Sequence, residues 1–159
     1  MLQIAQPELD ALRRHGEETY PHECCGALLG RMEGPNRRVE TTVRCTNTQS
    51  ERGHDRYVID PRELVRIQRE GREHGLDIIG FYHSHPDCPA RWSKTDLAEA
   101  HWVGCSYVIT QVEKGHAAET NSFLLAGAGE DDKHFEDEPI VIGRAADINA
   151  PDLHAKPAC

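Results

Sequence analysis

The chain has 159 residues, of which 38% are hydrophobic and 28% charged, with a formal net charge of −9 at pH 7. That length suits one domain that buries a core without staples, and the acidic balance argues against nucleic acid or an anionic membrane surface as partner, since both rest on Lys and Arg meeting phosphates. No apolar run approaches the roughly 18 residues of a membrane span, and the opening "MLQIAQPELDALRRHGEE" turns charged too soon for a signal peptide.

In chain order, "QPELDALRRHGEETY" carries Pro7 early and Leu9 and Leu12 on one face, which predicts a helix. "CCGALLGRM" is an apolar run of strand length. "EGPN" is a turn, and the β-branched "RRVETTVRC" completes a hairpin. "DRYVID" reads as a third, short strand. "PRELVRIQREGREHG" predicts a helix opened by Pro61 and closed by Gly75. "LDIIGFYHSH" is the most apolar strand, and "SKTDLAEAHW" follows as a helix. "CSYVITQV", "TNSFLLAG" and "EPIVIG" read as strands, with "AGEDDKHFEDEP" between the last two as a solvated acidic loop. "RAADINAPDLHAKPAC" has no periodicity and reads as a flexible tail over 144–159, leaving 1–143 as the domain. The mixture predicts an α/β fold, a mixed sheet flanked by helices, without the regular alternation of a doubly wound sheet.

Six cysteines (Cys24, Cys25, Cys45, Cys88, Cys105, Cys159) include no C-x-x-C pair. They read as reduced thiols of a cytoplasmic protein.

The chemistry concentrates in "GFYHSHPDCPARWSKTDLAEA". Side chains two apart on a strand point the same way, so His83 and His85 project together from the end of an apolar run. The stiff "PDCPARW" loop then brings back Ser93 and Asp96. Two imidazoles and a carboxylate are suitable zinc ligands, and three protein ligands leave one position open, the arrangement of catalytic sites. A His-x-His pair is equally compatible with polar surface, and Ser93 with Asp96 is an ordinary capping-box spacing. Upstream, Glu23 precedes an apolar strand. It has the chemistry of a general base beside such a site, or of a surface glutamate at a helix end.

Taken together, Glu23, His83-Ser84-His85-Pro86 and Ser93-x-x-Asp96 resemble the JAMM (MPN-plus, Mov34/JAB) zinc metallopeptidases. "P-x-E-x-C-G" from Pro21 to Gly26, Asn47, "RYVIDP", "HSHP-x-x-PAR-x-S-x-x-D" and "SYVI" are similar to the bacterial stand-alone branch. The resemblance spans roughly residues 1–142, and Cys88 and Trp92 in the loop depart from it at the rim. It implies a cytidine-deaminase-like (JAB1/MPN) sandwich. It also implies one zinc per chain held by His83, His85 and Asp96, with Glu23 as general acid/base and Ser93 stabilising the oxyanion. The implied substrate is a ubiquitin-like or sulfur-carrier protein, cut after its C-terminal Gly-Gly. The alternatives are a zinc amidohydrolase of a small substrate and a non-catalytic MPN-type binding module.

Overall fold

The computed structural model describes residues 1–49 and 56–143. Their order is β1 (Leu2–Ala5), α1 (Gln6–Thr19), β2 (Cys25–Glu33), β3 (Asn36–Cys45), α2 (Pro61–Glu73), β4 (Asp77–Pro86), α3 (Lys94–Glu99), β5 (Ser106–Glu113), β6 (His116–Ala126), β7 (His134–Glu138) and β8 (Ile140–Gly143). The strands form one mixed sheet, ordered β7-β6-β5-β4-β2-β3-β1-β8. β4 lies between β2, to which it is antiparallel, and β5, to which it is parallel.

The anticipated hairpin is present, running from Cys25↔Cys45 to Glu33↔Asn36. Both long helices start where proline indicated, and the Asp60 side chain caps α2 by accepting from the Arg62 N–H. Gly75, at φ +72°, turns the chain out of that helix as a glycine there should.

Helices cover both faces of the sheet. On one side Leu12 of α1 is buried with Leu2, Ile4, Leu28, Ile79, Tyr82 and Val108. On the other, Ile67 of α2 and Ala100 after α3 are buried with Leu29, Phe81, Tyr107 and Leu125. Fully burying a side chain of this size contributes about 1.5–3 kcal/mol, so the two apolar layers dominate the stability. A Cβ at Gly26 would run into the Tyr82 ring. That ring lies across β2 and sends its hydroxyl to His15 Nδ1, 2.8 Å away.

Four expectations need correction. β1 was not anticipated; its short "LQIA" pairs in parallel with both β3 and β8. Arg56–Asp60, the described part of "DRYVID", is not a strand. Val58 N–H donates to the Asn47 side-chain oxygen (3.1 Å) and its carbonyl accepts from Thr48 N–H (2.9 Å), so a side-chain amide takes the place of a ladder partner. The helix expected over 93–102 ends at Glu99, and Trp102 packs edge-on against Phe81. The acidic "loop" contains an edge strand, β7, paired with β6 from Ser122↔Glu138 to Ala126↔His134. Its Glu138 is buried, not solvated: it meets Arg37 at 3.2 Å and accepts from Ser106 Oγ (2.6 Å) and Ser122 Oγ (2.8 Å). Because Pro139 alone separates β7 from β8, the two ends of the sheet order adjoin and the sheet curls. The expected tail, 144–159, and Asp55 lie outside the described residues.

His15 sets a pH limit on this packing. Burial and the charge of Arg44 press its pKa from 6.5 to about 4, against a weaker pull from Glu18. The folded chain therefore holds His15 neutral at pH 5, whereas the unfolded chain protonates it. Stability from this group is complete above about 6.5 and falls as pH drops toward 4. Between pH 8 and pH 5 the loss is about 2 kcal/mol. Urea midpoints at the two pH values should show His15→Gln losing less stability than the parent by about that amount; equal losses would refute the assignment.

Candidate metal centre

The site grows from the end of β4. His83 and His85 are buried, and their Nε2 atoms lie 3.1 Å apart. Asp96 closes the triangle, with Oδ1 3.3 Å from His83 Nε2 and Oδ2 3.1 Å from His85 Nε2. Donors around a tetrahedral ion with bonds of about 2.0–2.1 Å stand about 3.3–3.4 Å apart, close to the spacing of the two nitrogens and of each nitrogen from its nearer Asp96 oxygen. The donor set also fits. His85 Nδ1–H donates to the Pro89 carbonyl at 2.8 Å, which leaves its Nε2 with the lone pair a metal needs.

The return loop is anchored at several points. Asp87, at φ +55°, turns the chain out of β4; its carboxylate accepts from Lys114 N–H (2.8 Å) and Tyr20 Oη–H (2.6 Å). Ala90 is fully buried against Ile109 and Phe123, and its carbonyl accepts from Asn121 Nδ2 at 3.0 Å. Ser93 then starts α3 with a complete capping box: Ser93 Oγ accepts from Asp96 N–H, and Asp96 Oδ2 accepts from Ser93 N–H. The capping and site readings of this pair therefore coexist. Cys88, on the same loop, is a free, exposed thiol and is not among the gathered ligand atoms. Trp92 rests against Phe135, with ring centroids 5.6 Å apart.

Glu23 is delivered from the other side. The β2–β4 register pairs Cys25 with His83, so Glu23 stands two residues beyond the start of the strand, beside the histidines. It is 5% exposed, and one carboxylate oxygen lies within 4.8 Å of ligand atoms of His83 and His85. Ser84, pointing to the opposite face, fixes this segment: its Oγ accepts from Cys24 N–H at 2.8 Å and its own N–H donates to the Cys24 carbonyl at 3.3 Å. A groove of about 370 Å³, lined by His15, Thr19, His22 and Asn47 among others, opens against Glu23.

The electrostatics favour a charged Asp96 carboxylate and a neutral His83, and shift His85 the other way. Burial opposes ionisation of Asp96, but the hydrogen bonds of His83, His85 and the Ser93 amide, with the charge of His83, outweigh it and hold the carboxyl well below its usual range. Burial lowers the pKa of His83 despite Asp96. For His85 burial again works against the charged form, yet Asp96 and the Pro89 carbonyl prevail and raise it.

All five residues singled out from the sequence, Glu23, His83, His85, Ser93 and Asp96, meet in this region. Sequence reasoning missed the work of Ser84 and of Tyr57, whose ring stacks on His83 at 4.5 Å and 27°. The alternation of β4 could have flagged Ser84; "RYVIDP" carried part of the resemblance, but nothing local shows that its tyrosine meets His83.

A mixed sheet between helices thus gathers a His-x-His strand end and the carboxylate of a returning loop into one cluster of candidate metal ligands. The chain belongs to the family described as prokaryotic homologs of the JAB domain, which matches residues 5–126. It is an enzyme of that family, a hydrolase, and its JAB1/MPN fold is the one expected. It is 32% identical to the desampylase of Haloferax volcanii over 112 residues, 68% of this chain and 78% of that one. It is 28% identical to the CysO-cysteine peptidase of Mycobacterium tuberculosis over 142 residues, covering 89% and 91% respectively. A solution structure of a protein from Desulfitobacterium hafniense aligns with a TM-score of 0.77 at 28% identity, over 91% of this chain and 94% of that one. No helix among the described residues is long and apolar enough to cross a membrane.

The Ser84 contact makes a stability prediction. Ser84→Ala strips the acceptor from a buried backbone N–H, which should cost about 1–3 kcal/mol. A denaturant midpoint unchanged from the parent would show that the Cys24 amide finds another partner.

Proposed function

We propose that the chain is a zinc-dependent peptidase or isopeptidase that hydrolyses the bond after the C-terminal glycines of a ubiquitin-like or sulfur-carrier protein. The observation that carries this reading is the triangle of His83, His85 and Asp96 at coordination spacing, with a buried glutamate beside it. His83, His85 and Asp96 are assigned as the ligands of one zinc ion. Bound there, zinc polarises the scissile carbonyl and acidifies the attacking water.

Glu23 is near two of the three ligands and is assigned a different task from Asp96. Asp96 contacts both imidazoles at 3.1–3.3 Å, and Glu23 comes from the β2 side with an oxygen within 4.8 Å of ligand atoms of the same two rings. Glu23 takes the proton of the attacking water and returns it to the leaving amine, as a general acid/base must. Ser93 Oγ spends only lone-pair capacity on the Asp96 amide, so its hydroxyl hydrogen is available to the developing oxyanion. A donor in that role is worth about 2.7–4 kcal/mol. A Gly-Gly terminus suits the site because glycine alone lets backbone lie close to such a cluster. The relatives named desampylase and CysO-cysteine peptidase support a substrate of this class.

Two substitutions separate ligand from base. His83→Ala should lose zinc by metal analysis and lose activity while the melting transition survives, because both apolar layers remain. Glu23→Gln should keep one zinc per chain and still bind the carrier, while turnover on a carrier–Gly-Gly–peptide fusion falls by about 10²–10⁴-fold. Stoichiometric zinc in the first variant, or hydrolysis within a few-fold of the parent in the second, would overturn these roles. Cleavage of small amides but of no carrier fusion would transfer the activity to the amidohydrolase class.

A further inference from the structure

The two histidines are held in different ways. An imidazole ligand is normally oriented by a hydrogen bond from its second nitrogen. His85 has that bond, to the Pro89 carbonyl. His83 does not: its Nδ1 is buried and has no hydrogen-bond partner among the described residues. What faces its ring instead is Tyr57, stacked at 4.5 Å and 27°.

Tyr57 sits in a segment with no ladder of its own, and one side chain grips it on both sides. Asn47 Nδ2 donates to the Arg56 carbonyl at 3.0 Å, and Asn47 Oδ1 accepts from Val58 N–H at 3.1 Å. The same Oδ1 accepts from Gln49 N–H at 3.0 Å, which fixes the start of the Asn47 loop. The second Nδ2 hydrogen reaches the Glu23 carbonyl at 3.4 Å. All four hydrogen-bonding positions of the amide are used, and turning it over would set oxygen against two carbonyls and nitrogen against two N–H groups.

We infer that Asn47 is a positioning residue of the site, acting through Tyr57 on His83 and through the backbone on Glu23. It ties the loop after β3, the Tyr57 segment and the Glu23 segment into one brace. That brace supplies His83 with the orientation its own second nitrogen does not provide. The inference rests on the zinc-peptidase reading above and adds two residues to it, neither of which touches the metal or the scissile bond.

The test measures zinc affinity by competition with a chromophoric chelator, together with kcat and KM on a carrier–Gly-Gly–peptide fusion. Asn47→Ala and Tyr57→Leu should each weaken zinc binding by about tenfold or more, the usual effect of removing a group that orients a ligand. kcat should fall in both, and KM should hold in Tyr57→Leu, because Tyr57 does not line the groove beside Glu23. Tyr57→Phe keeps the stacked ring and should match the parent. The double variant Asn47→Ala/Tyr57→Leu should be no worse for zinc than the poorer single variant, because both act through one contact. Zinc affinity within twofold of the parent in Asn47→Ala, or losses that multiply in the double variant, would overturn the inference. Should Asn47→Ala fail to fold, the comparison of Tyr57→Phe with Tyr57→Leu decides alone, with equal affinities counting against the brace. A parent chain that holds no zinc would instead sink the peptidase reading itself.

Discussion

The alternation of side chains along the second half of β4, from Phe81 to His85 and beyond a register shift near Ile79, is the constraint on which the rest of the molecule depends. β4 runs between β2 and β5 with helices over both faces. Phe81, His83 and His85 fall toward α2 and α3, while Tyr82 and Ser84 fall toward α1. A slip of one residue would send both histidines under α1 and the tyrosine into the site. The pairing of Cys25 with His83 then carries Glu23 to the histidines, where the Ser84 and Asn47 side chains hold its segment. The site is in this sense a property of strand register, and the apolar layers that fix the register also fix the chemistry.

The cost of the arrangement is carboxylate taken out of water in a chain that is already acidic: Glu23, Asp96 and Glu138 all have little exposed side chain. Charge removed from water is expensive unless every lone pair finds a partner. Asp96 finds two imidazoles and the Ser93 amide. The Arg37–Glu138 pair at the sheet closure follows the same rule, with two serine hydroxyls completing the shell of the glutamate. Both clusters join segments distant in sequence, so each also works as a cross-brace for the fold.

Much of this was legible in the sequence because it is local. Proline-led helix starts, the hairpin turn and the capping box are all decided within a few residues. His83, His85, Ser93 and Asp96 fall within fourteen consecutive positions, and Glu23 became legible only in combination with them. What escaped was decided by contacts across the sheet. β1 is too short to advertise itself. β7 is disguised by its acids, although Phe135 and Glu138 point inward. Arg56–Asp60 has strand-forming residues, yet its hydrogen bonds go to Asn47 and Thr48. No periodicity reveals an asparagine that knits three segments together.

The capping box of α3 has a consequence for how such a chain can change over generations. With the ligand role proposed for it, Asp96 is both a helix-start residue and the acidic corner of the site, and the two duties ask for different things. The helix needs an oxygen that accepts from Ser93 N–H; the metal corner needs a negative charge. Asparagine at 96 would keep the first and abandon the second. A catalytically silent descendant therefore lies one nucleotide change away, with its fold intact. Drift from enzyme to pure docking module would meet almost no structural barrier at this position.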